Sequence, residues 1–216
     1  MYSETSKEYV ILLHGLLRNK GSMKKMQRAL EEGGYKVINH DYPSSKANVK
    51  TLALEEIPKA LSLCDNASSI HFITHSMGGI LLRAYLDEHS IEKLGHVVML
   101  GPPNQGSEIV DKIGKAPGFR ALNGPAGLDL GTMGVAQRFK PIDFTLGVIA
   151  GTRTIDILGY LMLPRPNDGK VSVESTKIEG MKEHLIMKVT HTFMMQNANV
   201  IKQSIHFLKE GRFHHG

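Results

Sequence analysis

A serine, a carboxylate and a histidine placed at the ends of buried strands suffice for covalent acyl chemistry. Ser76 stands in Thr74-His75-Ser76-Met77-Gly78-Gly79, where the apolar run Ser69 to Thr74 gives way at once to a helical pattern from Gly79 to Glu88. A sharp strand-to-helix turn lifts a serine hydroxyl clear of a sheet, and small residues beside it let the backbone cross closely. Gly78 and Gly79 supply that clearance. The first amides of the following helix favour the negative charge that builds on a carbonyl oxygen under attack, and the Met77 amide is one such donor. A second is expected from the loop after an earlier strand, where His14-Gly15-Leu16 places the Leu16 amide.

A serine nucleophile needs a base, and the base needs a carboxylate to orient it. In this kind of turn the chain order is serine, acid, histidine. His191 directly follows an apolar strand in Val189-Thr190-His191-Thr192, and Asp168 lies in the turn Asn167-Asp168-Gly169. Asp156, in Thr154-Ile155-Asp156, is the alternative acid, because it follows the preceding strand closely. Asp143 precedes that strand and faces the wrong end. Among the other histidines, His14 reads as a structural residue of the donor loop and His75 stands beside the nucleophile. His184 begins its strand at the opposite sheet edge, and His206, His214 and His215 belong to the last helix or lie beyond it.

Six short apolar runs can position these residues: 9–13, 35–39, 69–74, 96–100, 144–150 and 183–189. Helical patterns separate most of them: Lys24 to Glu32 ending at Gly33-Gly34, Thr51 to Leu63 interrupted by Pro58, and Gly79 to Glu88. A terminal amphipathic helix is expected from Phe193 to Leu208, with Phe193, Val200, Ile201, Ile205 and Leu208 facing the core. Continuous apolar strands alternating with helices imply a mostly parallel sheet covered on both faces, and ligands bind beyond the carboxyl ends of such strands. Residues 101–141 break the rhythm with eight glycines and five prolines, and read as a long connection with one or two short helices roofing the site. Ile109, Val110, Ile113, Phe119, Leu122, Leu128, Leu130 and Met133 are its apolar residues, able to line an acyl pocket or simply to cover the sheet edge. Met187, Met194 and Met195 read as adaptable core rather than pocket wall.

Composition narrows the field. The 216 residues suggest one domain, 1–216, and 41% hydrophobic against 22% charged residues is ordinary globular content. The net charge of +5 is scattered, with Lys24-Lys25 the only adjacent basic pair, so no nucleic-acid partner is expected. One cysteine, Cys64, excludes an internal disulfide or a cysteine-based zinc cluster, and reads as a small buried residue at a helix end. No apolar stretch approaches the length of a membrane span and no signal-peptide core stands at the start, so a cytoplasmic protein is expected.

In combination, Val10 to Leu16, Thr74 to Gly79, Gly101 to Ser107, Asn167-Asp168-Gly169 with Val171-Ser172, and His191 resemble the α/β-hydrolase superfamily, in its bacterial lipase and esterase branch. The resemblance implies a minimal α/β-hydrolase fold of about six mostly parallel strands, helices on both faces and a short cap. It implies Ser76 as nucleophile, Asp168 as acid, His191 as general base, and the Leu16 and Met77 amides as oxyanion hole. The implied substrate is a small-molecule ester or lipid, cleaved without a cofactor; because the 101–141 roof is short for a large lid, short- to medium-chain esters are expected over emulsified triacylglycerol. Thioester hydrolysis or acyl transfer by the same triad, or a catalytically silent binding protein, are the alternatives. Two departures stand out. Thr74 occupies a position where the family usually has glycine, and Thr192, Phe193 and Met194 follow His191 where calcium-dependent relatives carry an aspartate, so no metal site is expected.

Overall fold

The computed structural model describes residues 7–114, 116–155 and 161–215. The six apolar runs become β1 (Glu8–Leu13), β2 (Lys36–His40), β3 (Ser69–His75), β4 (Leu94–Leu100), β5 (Leu146–Gly151) and β6 (Glu183–Met187). They form one sheet in the order β2-β1-β3-β4-β5-β6, and every neighbouring pair is parallel. The helices are α1 (Lys24–Glu32), α2 (Val49–Leu61), α3 (Met77–Leu86), α4 (Glu108–Ile113), α5 (Phe119–Asp129) and α6 (Ala198–Glu210).

Successive side chains of a strand point to opposite faces. Ile11 and Leu13 of β1 therefore enter one core with Phe72, Val97 and Met99, under α2 and α3. Val10 and Leu12 enter the other with Ile73, Val98 and Leu100, under α1 and α6. Burial on both faces is why the strands read as unbroken apolar runs rather than as alternating ones. This is the α/β-hydrolase arrangement that the motifs imply.

The topology also fixes where a site can form. From β1 the chain steps outward to β2, then returns past β1 to β3 on its other side. The loops leaving the carboxyl ends of β1 and β3 diverge there, and a crevice opens between them. Leu16 lies on the first loop and Ser76 on the second.

Several local expectations change. The helix expected to break at Pro58 runs through it, and Asn48 caps its start by accepting the Thr51 amide. The helix after Ser76 begins two residues early, at Met77. The terminal helix does not start at Phe193: a 3-10 turn at Met194–Gln196 comes first, and Asn197 then caps α6 through the Asn199 and Val200 amides. Phe193 is consequently exposed rather than core, Ile205 is only partly buried, and Phe207 takes the interior place. The connection at 101–141 holds α4, α5 and a 3-10 turn at Val135–Arg138, with α5 bent at Gly124, where φ is +67°. Cys64 is buried, as its type suggests, and burial pushes its thiol up to about 11. Among the described residues no helix is long and apolar enough to cross a membrane.

Candidate active site

Ser76 sits at φ 52°, ψ −121°, between the last residue of β3 and the first of α3. A non-glycine residue at positive φ is strained, and such strain persists only where the surroundings impose it. Here the imposition is legible. The Ser76 amide donates to Leu100 O of β4 at 2.9 Å, prolonging the strand ladder to the turn, while Gly79 N donates back to Ser76 O at 3.0 Å. A Cβ on Gly78 would lie 2.6 Å from Leu13 O and 2.9 Å from His14 O, so the helix can start this close to β1 only with glycine there. The unusual Thr74 is accommodated by a second glycine: its Oγ1 would stand 3.1 Å from a Cβ on Gly79.

The loop after β1 passes directly over the serine. A Cβ on Gly15 would lie 3.0 Å from His75 Nδ1 and 3.2 Å from Ser76 Cβ. His14 is fully buried, stacks on Tyr42 at 4.2 Å, and has its Nδ1 2.9 Å from Gly15 O. Tyr42 OH donates to His14 O, and the Leu17 amide donates to Ser44 Oγ at 3.1 Å. With these neighbours fixed, the loop holds Leu16 at the cleft that Ser76 also lines. Among the described residues neither the Leu16 nor the Met77 N–H is given to a protein acceptor. Burial lowers the pKa of His14 against the raising effect of the Gly15 carbonyl and Asp41.

Asp168 and His191 meet each other through a side-chain hydrogen bond. Asp168 Oδ2 is 2.8 Å from His191 Nδ1, and its Oδ1 accepts the Lys170 and Val171 amides at 3.0 and 2.8 Å. The carboxylate is thus an acceptor throughout, and the Nδ1 proton of His191 belongs to that bond, which leaves Nε2 for other work. Both side chains are buried, and His191 still lines a cleft of about 800 Å³ together with Ser76 and Leu16. Gly101 makes the meeting possible: it has φ +54°, and a Cβ there would stand 3.0 Å from Asp168 Oδ2 and 3.1 Å from His191 Nδ1. A glycine closing β4 is the sequence signal for this close approach. His75, which the sequence placed merely beside the serine, donates through Nε2 to His191 O at 3.0 Å. No sequence signal carries that bond, which spans 116 residues.

The remaining candidates sort cleanly. Asp156 lies outside the described residues. Asp143 is exposed at the start of β5, away from Ser76, and His184 pairs with Thr176 Oγ1 at 2.8 Å. Of the roof side chains, Ile109, Val110, Ile113, Phe119, Leu122 and Leu130 line the cleft. Leu128 and Met133 do not, and both are exposed. Met194 and Met195 are fully buried in the α1/α6 core, Met187 is partly buried against it, and none of the three lines the cleft. Among the described residues no three His, Cys, Asp or Glu side chains converge as metal ligands.

The family profile described as palmitoyl protein thioesterase matches residues 9–137, more than half of the chain. The chain belongs to the palmitoyl protein thioesterase family. The matched stretch holds Leu16, Ser76 and Met77, whereas Asp168 and His191 lie beyond it. No curated protein matches the chain. Among solved structures, it is similar to a Bacillus licheniformis lipase, at 19% identity in both forms. The propeptide form gives a TM-score of 0.74, covering 94% of this chain but 51% of that one, and the mature form gives 0.68, covering 97% and 94%. It is also similar to a thermophilic esterase from Thermogutta terrifontis, at 16% identity and TM-score 0.62, covering 96% of this chain and 91% of that one. At such identities the likeness is one of fold. It agrees with the α/β-hydrolase architecture that the parallel sheet already displays.

Proposed function

We propose that this member of the palmitoyl protein thioesterase family is a serine hydrolase of carboxylic esters, acting through an acyl-enzyme on Ser76. The observation that carries the reading is the strained Ser76 backbone at the β1/β3 switch point, opening on the same cleft as the Asp168–His191 pair. His191 Nε2 takes the Ser76 proton as Oγ bonds to the acyl carbon. The carbonyl electrons move to oxygen, where the Leu16 and Met77 amides hold the charge. Collapse expels the alcohol, which leaves with the proton from His191. Water then gives a proton to His191 and attacks the acyl carbon, and collapse releases the acid and returns the proton to Ser76. Asp168 orients the imidazole and stabilises its cation.

The roof side of the cleft is apolar, through Ile109, Val110, Ile113, Phe119, Leu122 and Leu130, which suits an acyl chain. Its volume of about 800 Å³ is within the usual range for small-molecule sites. Thioester hydrolysis is the second reading, favoured by the family match over residues 9–137. It uses the same steps, with a thiol leaving in place of an alcohol.

The test is labelling with a fluorophosphonate, alongside turnover of p-nitrophenyl esters and acyl thioesters of rising chain length. Ser76 should be labelled, and Ser76→Ala should abolish both labelling and turnover of whichever class is cleaved. Turnover surviving in Ser76→Ala would overturn the proposal.

A further inference from the structure

One buried imidazole of the site has no part in the steps above. His75 closes β3 next to Ser76 and is 2% exposed. Its Nε2 lies 3.0 Å from the carbonyl oxygen of His191, and a carbonyl only accepts, so the ring proton is on Nε2. Among the described residues its Nδ1 has no hydrogen-bond partner, and it faces Gly15, whose Cβ, were there one, would stand 3.0 Å away. A bare, buried nitrogen in that position belongs to a neutral ring. Burial, and then the neighbouring His191, hold the pKa of His75 well below the ordinary imidazole value.

A space-filling residue would be apolar here and would leave no orphaned nitrogen. The useful atom is the Nε2 donor. His191 is fastened to Asp168 twice, by its Nδ1 at 2.8 Å and by its amide to Asp168 O at 2.9 Å. Both bonds lead to the loop beyond β5, and neither fixes His191 relative to Ser76. Among the described residues, the bond from His75 is the hydrogen bond that ties His191 to β3, the strand that delivers the serine. The two rings also lie 4.8 Å apart between centroids, so a charged His75 would oppose the imidazolium that His191 becomes during turnover.

We propose that His75 is a positioning residue, a neutral Nε2–H imidazole that anchors the His191 backbone to the strand end carrying Ser76 and so sets the distance the serine proton travels. This rests on the roles given to Ser76 and His191 above. It deepens them by naming what holds nucleophile and base in register.

Two substitutions of equal length separate anchoring from filling. In His75→Gln the amide nitrogen falls where Nε2 stood and can still donate; in His75→Met nothing donates. With a short-chain p-nitrophenyl ester, His75→Met should lose about 10- to 100-fold in kcat, the scale of a roughly 1 Å misplacement, with KM nearly unchanged. His75→Gln should recover most of that loss, and the rate of fluorophosphonate labelling should follow the same order, lowest for His75→Met. Equal kcat for the Gln and Met variants would overturn the proposal. So would histidine nitrogen NMR of the wild-type protein finding His75 protonated on Nδ1 or doubly protonated at pH 7, a measurement that stands even if the Met variant does not fold. Failure of wild-type Ser76 to label would instead refute the underlying serine-hydrolase reading.

Discussion

Asp168 and His191, 23 residues apart in sequence, are joined twice: Asp168 Oδ2 to His191 Nδ1 at 2.8 Å, and Asp168 O to the His191 amide at 2.9 Å. The first bond sets the imidazole tautomer and the second sets the backbone that carries the ring. Because Oδ1 is already held by the Lys170 and Val171 amides, the carboxylate cannot turn away from the histidine.

Asp168→Asn should therefore keep the fold and lose the chemistry. An asparagine oxygen can still accept from the Lys170 and Val171 amides, but its NH2 then faces Nδ1 and forces the proton to Nε2. We expect kcat to fall by about 10³- to 10⁴-fold, as in other serine triads whose acid is neutralised. Steady-state kinetics with circular dichroism checks this, and a loss below tenfold would argue against Asp168 as the orienting acid.

Ser76→Gly should inactivate the protein and make it more stable. Ser76 pays a steric penalty at φ 52° that glycine does not, and the relief exceeds the extra chain entropy of glycine. A gain of about 1 kcal/mol follows, read as a higher urea midpoint. A midpoint below that of the wild type would show that the turn is unstrained.

Gly78→Ala should damage both stability and activity. The added methyl would meet two backbone carbonyls, Leu13 O at 2.6 Å and His14 O at 2.9 Å, neither of which can rotate aside. The cost should be about 1–3 kcal/mol, the usual range for overpacking. Because the displaced strand end leads into Gly15-Leu16, kcat should fall as well. Thermal denaturation and turnover on the same sample give both numbers, and unchanged kcat would separate the loop from the chemistry.

Stability should fall on mild acidification. His14, His71, His75 and His184 all have their pKa lowered, in each case chiefly by burial. In the unfolded chain they take up protons below about pH 6.5, while the folded protein resists until lower pH. Their contribution is thus fully present above about 6.5 and is lost as pH drops through their folded values. Urea midpoints should be lower at pH 5.5 than at 7.5, with a smaller difference in His75→Gln. A midpoint that is flat or rises toward pH 5.5 would contradict the burial of neutral imidazoles.

Fold class was legible because strands buried on both faces must be apolar throughout, and runs such as Tyr9 to Leu13 and His96 to Leu100 announce this without any tertiary information. Ser76, Asp168 and His191 stood out as candidates because Ser76 and His191 each follow such a run, Asp168 lies in a turn between two of them, and strand ends share one rim of a parallel sheet. Element boundaries were less so. Phe193 matches a helical period, yet Asn197 caps the helix four residues later, because a side chain that accepts the first amides outweighs one more apolar contact.

What the sequence determined by itself, then, is the alternation of elements and the residue types at their ends, since both follow from local pattern and steric need. The tertiary structure alone decided the rest. The strand order that opens the crevice between β1 and β3, the two hydrogen bonds that join Asp168 to His191, and the His75 bond to the His191 backbone all join residues far apart in the chain. No local pattern encodes such distances, because they are set by how the sheet packs and not by any one segment of it.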